Sequence, residues 1–229
     1  MHKPDFTPDS LTPDALLTTT RSVRRRLDLA RPVPLDVLTD CVDIALQAPT
    51  GGNSQSGHFV LVTNAGKRAV LSELYRKSWA GYRKAPGSVY DRHEREPAGP
   101  RKEQMRRVVE SADFLVDNLH LVPVHVVPCI EARVGAQPPG PFQNIVLAST
   151  YGSILPAAWS FMLAARARGL GAAWTTAHLA FERDAAELLG IPYDRITQVA
   201  LLPTAYFTGA DFRPALRRPL HDVLHVDGW

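Results

Sequence analysis

Apolar residues recur every three or four positions in three stretches of the first half of the chain, which is the spacing of one helix face. The first stretch predicts a helix from Pro13 to about residue 20, with the hydroxyls of Ser10 and Thr12 at its start. A second helix opens at Pro34 and stops at residues 48–49, and a third follows a turn at residues 64–66. The side chains expected to face inward are Leu35, Leu38, Val42 and Ala45 in the second helix and Val70, Leu71 and Leu74 in the third.

Three further helices are predicted in the second half of the chain. The segment 153–168 is apolar nearly all round, which is typical of a helix buried in the centre of a molecule, and residues 169–171 end it. A last helix covers residues 181–189 and closes at Gly190. The other helix begins at about Lys102, and its broad apolar stripe consists of Met105, Val108, Val109, Ala112, Leu115, Val116 and Leu119.

Short apolar runs predict strands at residues 58–62, 122–130 and 196–202, while residues 172–176 form a short strand or an extended loop. Pro123 and Pro128 suggest that the second run is a strand end or a sheet edge, because proline cannot donate to a ladder. Residues 79–100 show no clear period and are interpreted as a mobile excursion over the surface. Helices outweigh strands without regular alternation, which predicts an α+β fold around a mixed sheet.

Length and composition indicate one globular domain spanning residues 1–229, with 45% apolar and 21% charged residues. Residues 1–10 lack a basic-then-apolar run, and no apolar stretch is judged long enough to span a bilayer, so no signal or membrane anchor is expected. Cys41 and Cys129 lack metal-ligand spacing and are interpreted as core residues in a reducing compartment. The expected location is therefore the cytoplasm.

Several common chemistries have no motif in this chain. There is no G-x-G-x-x-G after a strand, no G-K-[ST] and no G-x-S-x-G. His221 and His225 have helical spacing without a glutamate between them, so no metal site is expected. The net charge of +3 comes without a nucleic-acid-binding motif, and we expect no nucleic-acid partner.

Three polar clusters lie where a loop meets a predicted element, and each suits one part of an anionic, planar ligand. Arginines with a serine, as in Arg21, Ser22 and Arg24, bind phosphate through charge-assisted hydrogen bonds. Glycines followed by amide side chains let the backbone approach a ligand and offer donors and acceptors together. These amides and their neighbours are Pro49, Thr50, Asn53 and Gln55.

The third cluster, Trp174, Thr175, Thr176 and Ala177, follows the buried helix and could aim a backbone N–H at the reactive edge of a ring. Arginines near the C-terminus, including Arg213, Arg217 and Arg218, add cations that could close on a phosphate. Each cluster also has an ordinary structural explanation: a basic surface turn, a tight turn and a plain strand.

Together these clusters resemble the nitroreductase family of flavin oxidoreductases over almost the whole chain. The resemblance is carried by the segments 21–24 (RSVR), 48–55 (APTGGNSQ), 151–154 (YGSI), 164–171 (AARARGLG) and 217–220 (RRPL), with Trp229 at the end. It departs from the family pattern at Thr20, at residues 56–57 and at residues 202–207. These departures affect the shape of the pocket more than the phosphate contacts.

The resemblance implies a mixed, mainly antiparallel sheet flanked by helices, in an interlocked homodimer with FMN clefts at the subunit interface. On the family's pattern, Arg21, Ser22 and Arg24 contact the phosphate, ribityl chain or pyrimidine edge of FMN, and Asn53, with Gln55, contacts the pyrimidine side. The segment Trp174 to Ala177 lies along the flavin with an amide near Thr176 facing N5, and Arg217 or Arg218 takes the phosphate. Pro49 and Thr50 complete the predicted cofactor site.

The activity that the resemblance implies is a two-step ping-pong transfer of electrons from NADH or NADPH, through FMN, to a small nitroaromatic, quinone or related acceptor. The chemistry takes place at N5 of the flavin, so no catalytic side chain is predicted. Two alternatives stay open at this point. The protein could hold FMN without turning over NAD(P)H, or it could be a relative that acts as a dehalogenase, a flavin-degrading enzyme or a ring-oxidising enzyme.

Overall fold

The computed structural model describes residues 11–136 and 140–229 and shows helices packed around one sheet. The predicted cap residue Ser10 lies outside the described residues. The helices are α1 (Pro13–Thr19), α2 (Leu35–Ala45), α3 (Ala65–Tyr82), α4 (Val89–Arg95), α5 (Pro100–Asn118), α6 (Gln143–Gly152), α7 (Leu155–Ala167) and α8 (Glu182–Leu189). The strands are β1 (Gly57–Val62), β2 (Val124–Ile130), β3 (Leu170–Ala172), β4 (Thr197–Gln198) and β5 (Leu202–Tyr206).

The sheet runs in the order β1-β2-β5-β3, with β4 also paired to β2, and every pair is antiparallel. The predicted α+β class with a mainly antiparallel sheet is confirmed. Alternate residues of the buried strand β2 face opposite layers, as strand geometry requires. Val126 packs in a cluster with Phe161 of α7, and Val127 packs in another cluster with Leu71 of α3 and Leu115 of α5.

Pro123 lies at a strand end, directly before β2, as one of the two predicted alternatives has it, but the predicted sheet edge is wrong, because β2 pairs on both sides. The carbonyl of Pro128 accepts a hydrogen bond from the Val199 N–H at 3.0 Å, so the Pro128 nitrogen faces the same side. At that point the pairing changes from Val126↔Leu202 in β5 to Cys129↔Gln198 in β4. The two registers differ by one residue, so there is a β-bulge at Pro128. Because the ladder is interrupted at a bulge, the N–H that proline lacks is not needed there. The same bulge divides the predicted strand 196–202 into two.

Other differences from the sequence predictions concern helices. Residues 79–100 form the end of α3, the helix α4 and the start of α5, because an aromatic cluster gives this charged segment a core of its own. Helix α6 was not predicted at all. Leu35 and Val70 were expected to be buried but are 60% and 45% exposed. The buried faces of α2 and α3 are narrower than the apolar faces that the sequence indicated.

The continuous helical run Gln143–Ala167, which joins α6 and α7, is long and apolar enough to cross a membrane by length and composition alone. The expectation that no stretch reaches this length is therefore wrong. A third of its most apolar window is buried inside the protein, and a non-helical Ile154 divides the run. A core helix of a water-soluble protein passes the same test, so one run of this kind does not indicate a membrane protein.

Residues 23–28 run beside β3 and β5 and form what we call the seam. The Val23 N–H donates to the Ala172 carbonyl at 2.9 Å, and the Asp28 N–H donates to the Tyr206 carbonyl at 2.7 Å. Val23 is buried directly against Gly171, where a Cβ atom would stand 2.8 Å from the Val23 Cβ. Glycine at position 171 is therefore needed for the seam to approach β3 this closely. The seam in turn fixes the positions of Arg21 and Arg24, which lie on either side of Val23 in the sequence.

We expect Gly171→Ala to lower the free energy of unfolding by about 1–3 kcal/mol, because the added methyl overpacks the contact with Val23. Gly81→Ala is the matched control: nothing lies within 4 Å of the point in α3 where a Cβ atom of residue 81 would stand, and alanine there should stabilise the protein by up to about 1 kcal/mol. Urea unfolding of both variants measures the difference. Equal stability of the two variants would show that the seam does not depend on Gly171.

Candidate functional site

A cavity of about 450 Å³ lies between the seam, α5 and the C-terminal tail, and we call it the arginine cavity. Its polar lining includes Arg21, Ser22, Arg24, Arg25, Arg26, Gln104, Arg107, Ser111, Asp211 and Arg213. Three of these arginines face carboxylates: Arg25 is 3.6 Å from Glu110, Arg26 is 3.3 Å from Asp211, and Arg107 is 3.0 Å from Glu103. Arg21, Arg24 and Arg213 have no carboxylate partner within the described ranges, so the cavity holds uncompensated positive charge.

A second cavity of about 290 Å³, the ring cavity, adjoins this region. One wall consists of residues 174–177, and the other is formed by α3 with Ala112 of α5. Tyr75, Trp79 and Tyr82 supply most of the α3 wall. Arg24 lines both cavities, so a ligand with an anionic end and a flat end could contact it from either side.

Arg24 occupies an unusual position for a cation. Among the described residues, its side chain makes one hydrogen bond, a long one of 3.5 Å from Nη1 to the Ser111 Oγ. Burial lowers the pKa of the guanidinium, and the nearby Tyr75 opposes that shift. Arg24 is partly buried, and a desolvated charge without a counter-ion costs free energy that an anionic ligand would offset.

The third predicted cluster, residues 174–177, is held in place beside Arg24. Thr175 exchanges backbone hydrogen bonds with Leu201 at 3.1 and 2.8 Å, and its hydroxyl lies 2.8 Å from the Tyr75 hydroxyl. Burial is also the main reason why the pKa of Tyr75 is raised. The Thr176 N–H makes no hydrogen bond to any other described residue, although Thr176 is exposed in the ring cavity. It is a backbone donor available to a ligand.

The glycine-rich loop 50–55 has a strained conformation. Gly52, Asn53 and Gln55 have φ values of 58°, 55° and 49°, and the left-handed region costs about 1 kcal/mol or more for a non-glycine residue. The loop is fastened by the Gly51 N–H, which donates to the Ser153 Oγ at 2.8 Å, and by Thr50, whose Oγ1 accepts from the Gln55 N–H at 3.2 Å.

The amide side chains of this loop are arranged as a pair. The Gln55 Nε2 donates to the Asn53 Oδ1 at 3.2 Å, which leaves the Asn53 amino group and the Gln55 carbonyl oxygen free to contact a ligand. Both side chains are exposed, as is Pro49. The loop therefore offers a donor and an acceptor side by side on the surface.

Within one chain, the loop does not join the other two clusters. It leads into β1 at one edge of the sheet, whereas the seam lies beside β3 at the other edge. Three interstrand spacings of about 4.8 Å separate the two edges, or roughly 14 Å. Neither cavity is lined by any of residues 49–55, all of which the structure describes.

The structure brings together Arg21, Ser22 and Arg24 with residues 174–177, but it leaves two other predicted arginines outside. Arg217 and Arg218 are exposed on the tail and line neither cavity, and the Arg217 Nη1 donates to the Leu216 carbonyl at 3.5 Å. The tail residues that line the arginine cavity are Asp211, Phe212, Arg213 and Leu216.

Sequence reasoning missed the contributions of α3 and α5 to the two cavities. The residues concerned are Tyr75, Ser78, Trp79 and Tyr82 of α3 and Gln104, Arg107 and Ser111 of α5. A signal was available: the three aromatic residues have spacings of four and three, which place them on one helix face. This face was missed because the predicted surface excursion began at Trp79 and so separated Tyr75 from Trp79 and Tyr82.

Solved structures of flavoproteins share this fold. Iodotyrosine deiodinase bound to FMN and 3-iodo-L-tyrosine has a TM-score of 0.65 at 20% identity, with 93% of this chain and 97% of that chain covered. A BluB-like flavoprotein from Clostridium difficile 630 has a TM-score of 0.65 at 14% identity, with 96% and 100% covered. An FMN- and NADPH-dependent nitroreductase from Sphigopyxis sp. strain HMH has a TM-score of 0.63 at 21% identity, with 96% and 100% covered.

At these identities the likeness establishes the fold alone, and no curated protein matches the chain significantly. The sequence profile of the nitroreductase family matches residues 17–206, which include the seam, the loop 50–55 and the segment 174–177. Because that match extends over most of the 229 residues, and the fold agrees with it, the chain belongs to the nitroreductase family.

Proposed function

We propose that this protein is an FMN-dependent oxidoreductase that takes electrons from NADH or NADPH and passes them, in two half-reactions, to a small nitroaromatic, quinone or related acceptor. The observation that carries the proposal is Arg24, a partly buried guanidinium without a carboxylate partner in the described ranges, shared between an arginine-lined cavity and an aromatic one. The anionic phosphate of FMN would suit the arginine cavity. Its flat ring, which becomes anionic on reduction, would suit the ring cavity beside Arg24.

The residues present fit this cofactor. Arg21, Ser22 and Arg213 would hold the phosphate in the arginine cavity, because the two arginines have no carboxylate to compete with it. Arg217 and Arg218 would join them only after a movement of the tail. Residues 174–177 would lie along the ring, with the Thr176 N–H as the donor toward N5.

Bound FMN would supply the hydride chemistry, as flavins do in oxidoreductases. The part of this chain is electrostatic and geometric. Arg24 would stabilise negative charge that develops on the pyrimidine side of the ring, since its positive charge is fixed and partly desolvated. The backbone bonds between Thr175 and Leu201 hold the Thr176 N–H in position before any ligand arrives. No side-chain acid or base is required.

We also propose that the protein is a soluble, cytoplasmic homodimer in which the loop 50–55 of one subunit completes the cofactor site of the other. In support, Asn53 and Gln55 lie at the opposite sheet edge from Arg24 and line neither of the cavities that Arg24 lines. Helix α6 and its preceding turn expose Phe142 at 69% and Ile145 at 64%, and the tail exposes Leu220, Val223, Leu224, Val226 and Trp229. Exposed apolar surface of this extent is typical of a subunit interface.

Two other functions stay open as alternatives. A storage protein would hold FMN without turning over NAD(P)H. The fold is also that of a deiodinase and of a BluB-like flavoprotein, which leaves dehalogenation, flavin breakdown and ring oxidation as candidate activities.

Replacing Arg24 should weaken FMN binding far more than replacing its neighbour. We expect Arg24→Gln to raise the Kd for FMN about 10- to 100-fold, because a hydrogen bond to a charged group contributes about 1.5–3 kcal/mol. Arg25→Gln, the matched control, removes an arginine that already faces Glu110 and should change the Kd by less than about 3-fold. Fluorescence titration of the apoprotein measures both values. If Arg24 is structural instead, Arg24→Gln will also lower the melting temperature of the apoprotein.

A charge on the exposed face of α6 should separate the subunits. We expect Ile145→Asp to give a monomer in sedimentation velocity, while the wild-type protein sediments with twice the mass of one chain. The monomer should lose FMN, because its loop 50–55 can no longer reach a second subunit. Val70→Asp, a change at another exposed apolar position, should leave the dimer intact. A dimeric Ile145→Asp variant would show that α6 is not the interface.

Steady-state turnover separates the enzyme from the storage alternative. The purified protein should be yellow and should oxidise NADH or NADPH when menadione or a nitroaromatic compound is supplied, with the parallel-line kinetics of a ping-pong reaction. A yellow protein that shows no oxidation of either donor would indicate storage or one of the other flavin activities. A colourless protein that binds no added FMN would contradict the whole proposal.

A further inference from the structure

The wall that α3 contributes to the ring cavity is part of a larger aromatic cluster. The Tyr75 and Trp79 rings are stacked, with centroids 5.6 Å apart and planes inclined by 14°. Trp79 and Tyr82 are 4.8 Å apart, and Tyr90 of α4 meets both rings edge-on at 6.3 and 6.4 Å. These distances fall in the range at which aromatic pairs attract each other beyond simple burial, so the wall is a preformed aromatic surface.

A chain of hydrogen bonds fixes this surface. The Trp79 Nε1–H donates to the Tyr90 hydroxyl at 2.9 Å, the Tyr90 hydroxyl donates to Asp113 of α5, and Arg83 donates to the other oxygen of Asp113 at 3.1 Å. Burial and the bond to Asp113 raise the pKa of Tyr90 to about 12, so Tyr90 keeps its proton throughout the physiological range. The polar atoms of Trp79 and Tyr90 are therefore used within the protein, and Trp79, which lines the ring cavity, can contact a ligand there only through its ring.

Tyr82 differs from these neighbours. Its hydroxyl oxygen accepts a hydrogen bond from the Val89 N–H at 3.0 Å, but its hydroxyl hydrogen has no acceptor in the portion of the chain that the structure describes. Tyr82 is half-buried and lines the ring cavity. The hydroxyl of Ser78, one turn earlier on the same wall, likewise makes no hydrogen bond to a described residue. The wall thus combines ring faces with unused donors.

We propose that Tyr82 is a specificity-determining residue for the electron acceptor: a planar aromatic acceptor stacks on the Trp79 and Tyr82 wall, and the Tyr82 hydroxyl donates to an oxygen of its polar substituent. This inference rests on the proposed function. It adds that the preferred acceptors carry a hydrogen-bond-accepting oxygen, as quinones and nitroaromatics do, directly on a ring.

The arrangement of the two walls supports this assignment. Residues 174–177, along which the flavin ring is proposed to lie, line the same cavity as the α3 residues, and the Thr175 hydroxyl contacts that of Tyr75 at 2.8 Å. An acceptor held on Trp79 and Tyr82 is therefore held in the same cavity as the cofactor segment. Tyr75 is less suited to the role, because its hydroxyl already pairs with Thr175 at 2.8 Å.

Equilibrium dialysis against the oxidised holoenzyme, without NADH or NADPH, tests the inference. The probes are menadione and 2-methylnaphthalene, which share one carbon skeleton and differ in the two quinone oxygens. We expect Tyr82→Phe to weaken menadione binding about 3- to 10-fold, the effect of losing one net hydrogen bond, and to leave 2-methylnaphthalene binding within 2-fold of wild type. Tyr82→Leu, which also removes the ring, should weaken binding of both probes by about 3-fold or more.

Tyr193→Phe makes the same chemical change outside the ring cavity and serves as the control, since the Tyr193 ring lies against Arg133 and Arg183. The Tyr193→Phe variant should bind both probes as the wild-type protein does. The FMN content of every variant is measured first. Wild-type affinity for menadione in Tyr82→Phe would overturn the inference while leaving the FMN proposal intact. Loss of FMN from a folded Tyr82 variant would also overturn it, because Tyr82 would then hold the cofactor. A wild-type protein without FMN would instead defeat the proposed function.

Discussion

The seam between residues 23–28 and the strands β3 and β5 is the interaction on which the candidate site depends. The bond from the Val23 N–H to Ala172, at 2.9 Å, and the close contact of Val23 with Gly171 set the path of the arginine-rich segment. Val23 is thereby buried against β3, and the next residue, Arg24, lines both cavities. The same two strands position residues 174–177, so the cation and the free Thr176 N–H are fixed relative to each other by one piece of sheet.

A second constraint is that the sheet separates the predicted cofactor residues. Arg24 and Thr176 belong to the β3 edge, and Asn53 and Gln55 belong to the β1 edge. The left-handed conformations of Asn53 and Gln55 cost free energy and persist because Gly51 and Thr50 fasten the loop to its surroundings. Such strain at an exposed loop, together with the exposed apolar face of α6, agrees with the proposal that the loop serves a neighbouring subunit.

The acceptor is a different question from the cofactor, because it depends on residues that the family motifs do not contain. Proteins with this fold include a deiodinase, a BluB-like flavoprotein and a nitroreductase, so the shared scaffold does not decide what is reduced. In this chain the aromatic wall of α3 and its support by Tyr90 and Asp113 are the features that could select an acceptor. They arise from a charged segment whose composition suggested only a surface excursion.

The sequence by itself determined the family, the α+β class and most of the helices, because helix periodicity and caps such as Thr12 and Gly190 are local properties. It also predicted Arg21, Ser22, Arg24 and residues 174–177 as parts of one site, and the structure places them around two cavities that share Arg24. Only the tertiary structure decided that Arg24 is shared by two cavities, that Asn53 lies at the opposite sheet edge, and that residues 79–95 build an aromatic wall. These facts depend on strand order and on contacts between residues far apart in the chain, such as Tyr75 with Thr175 and Arg24 with Ser111, and no local pattern encodes such contacts.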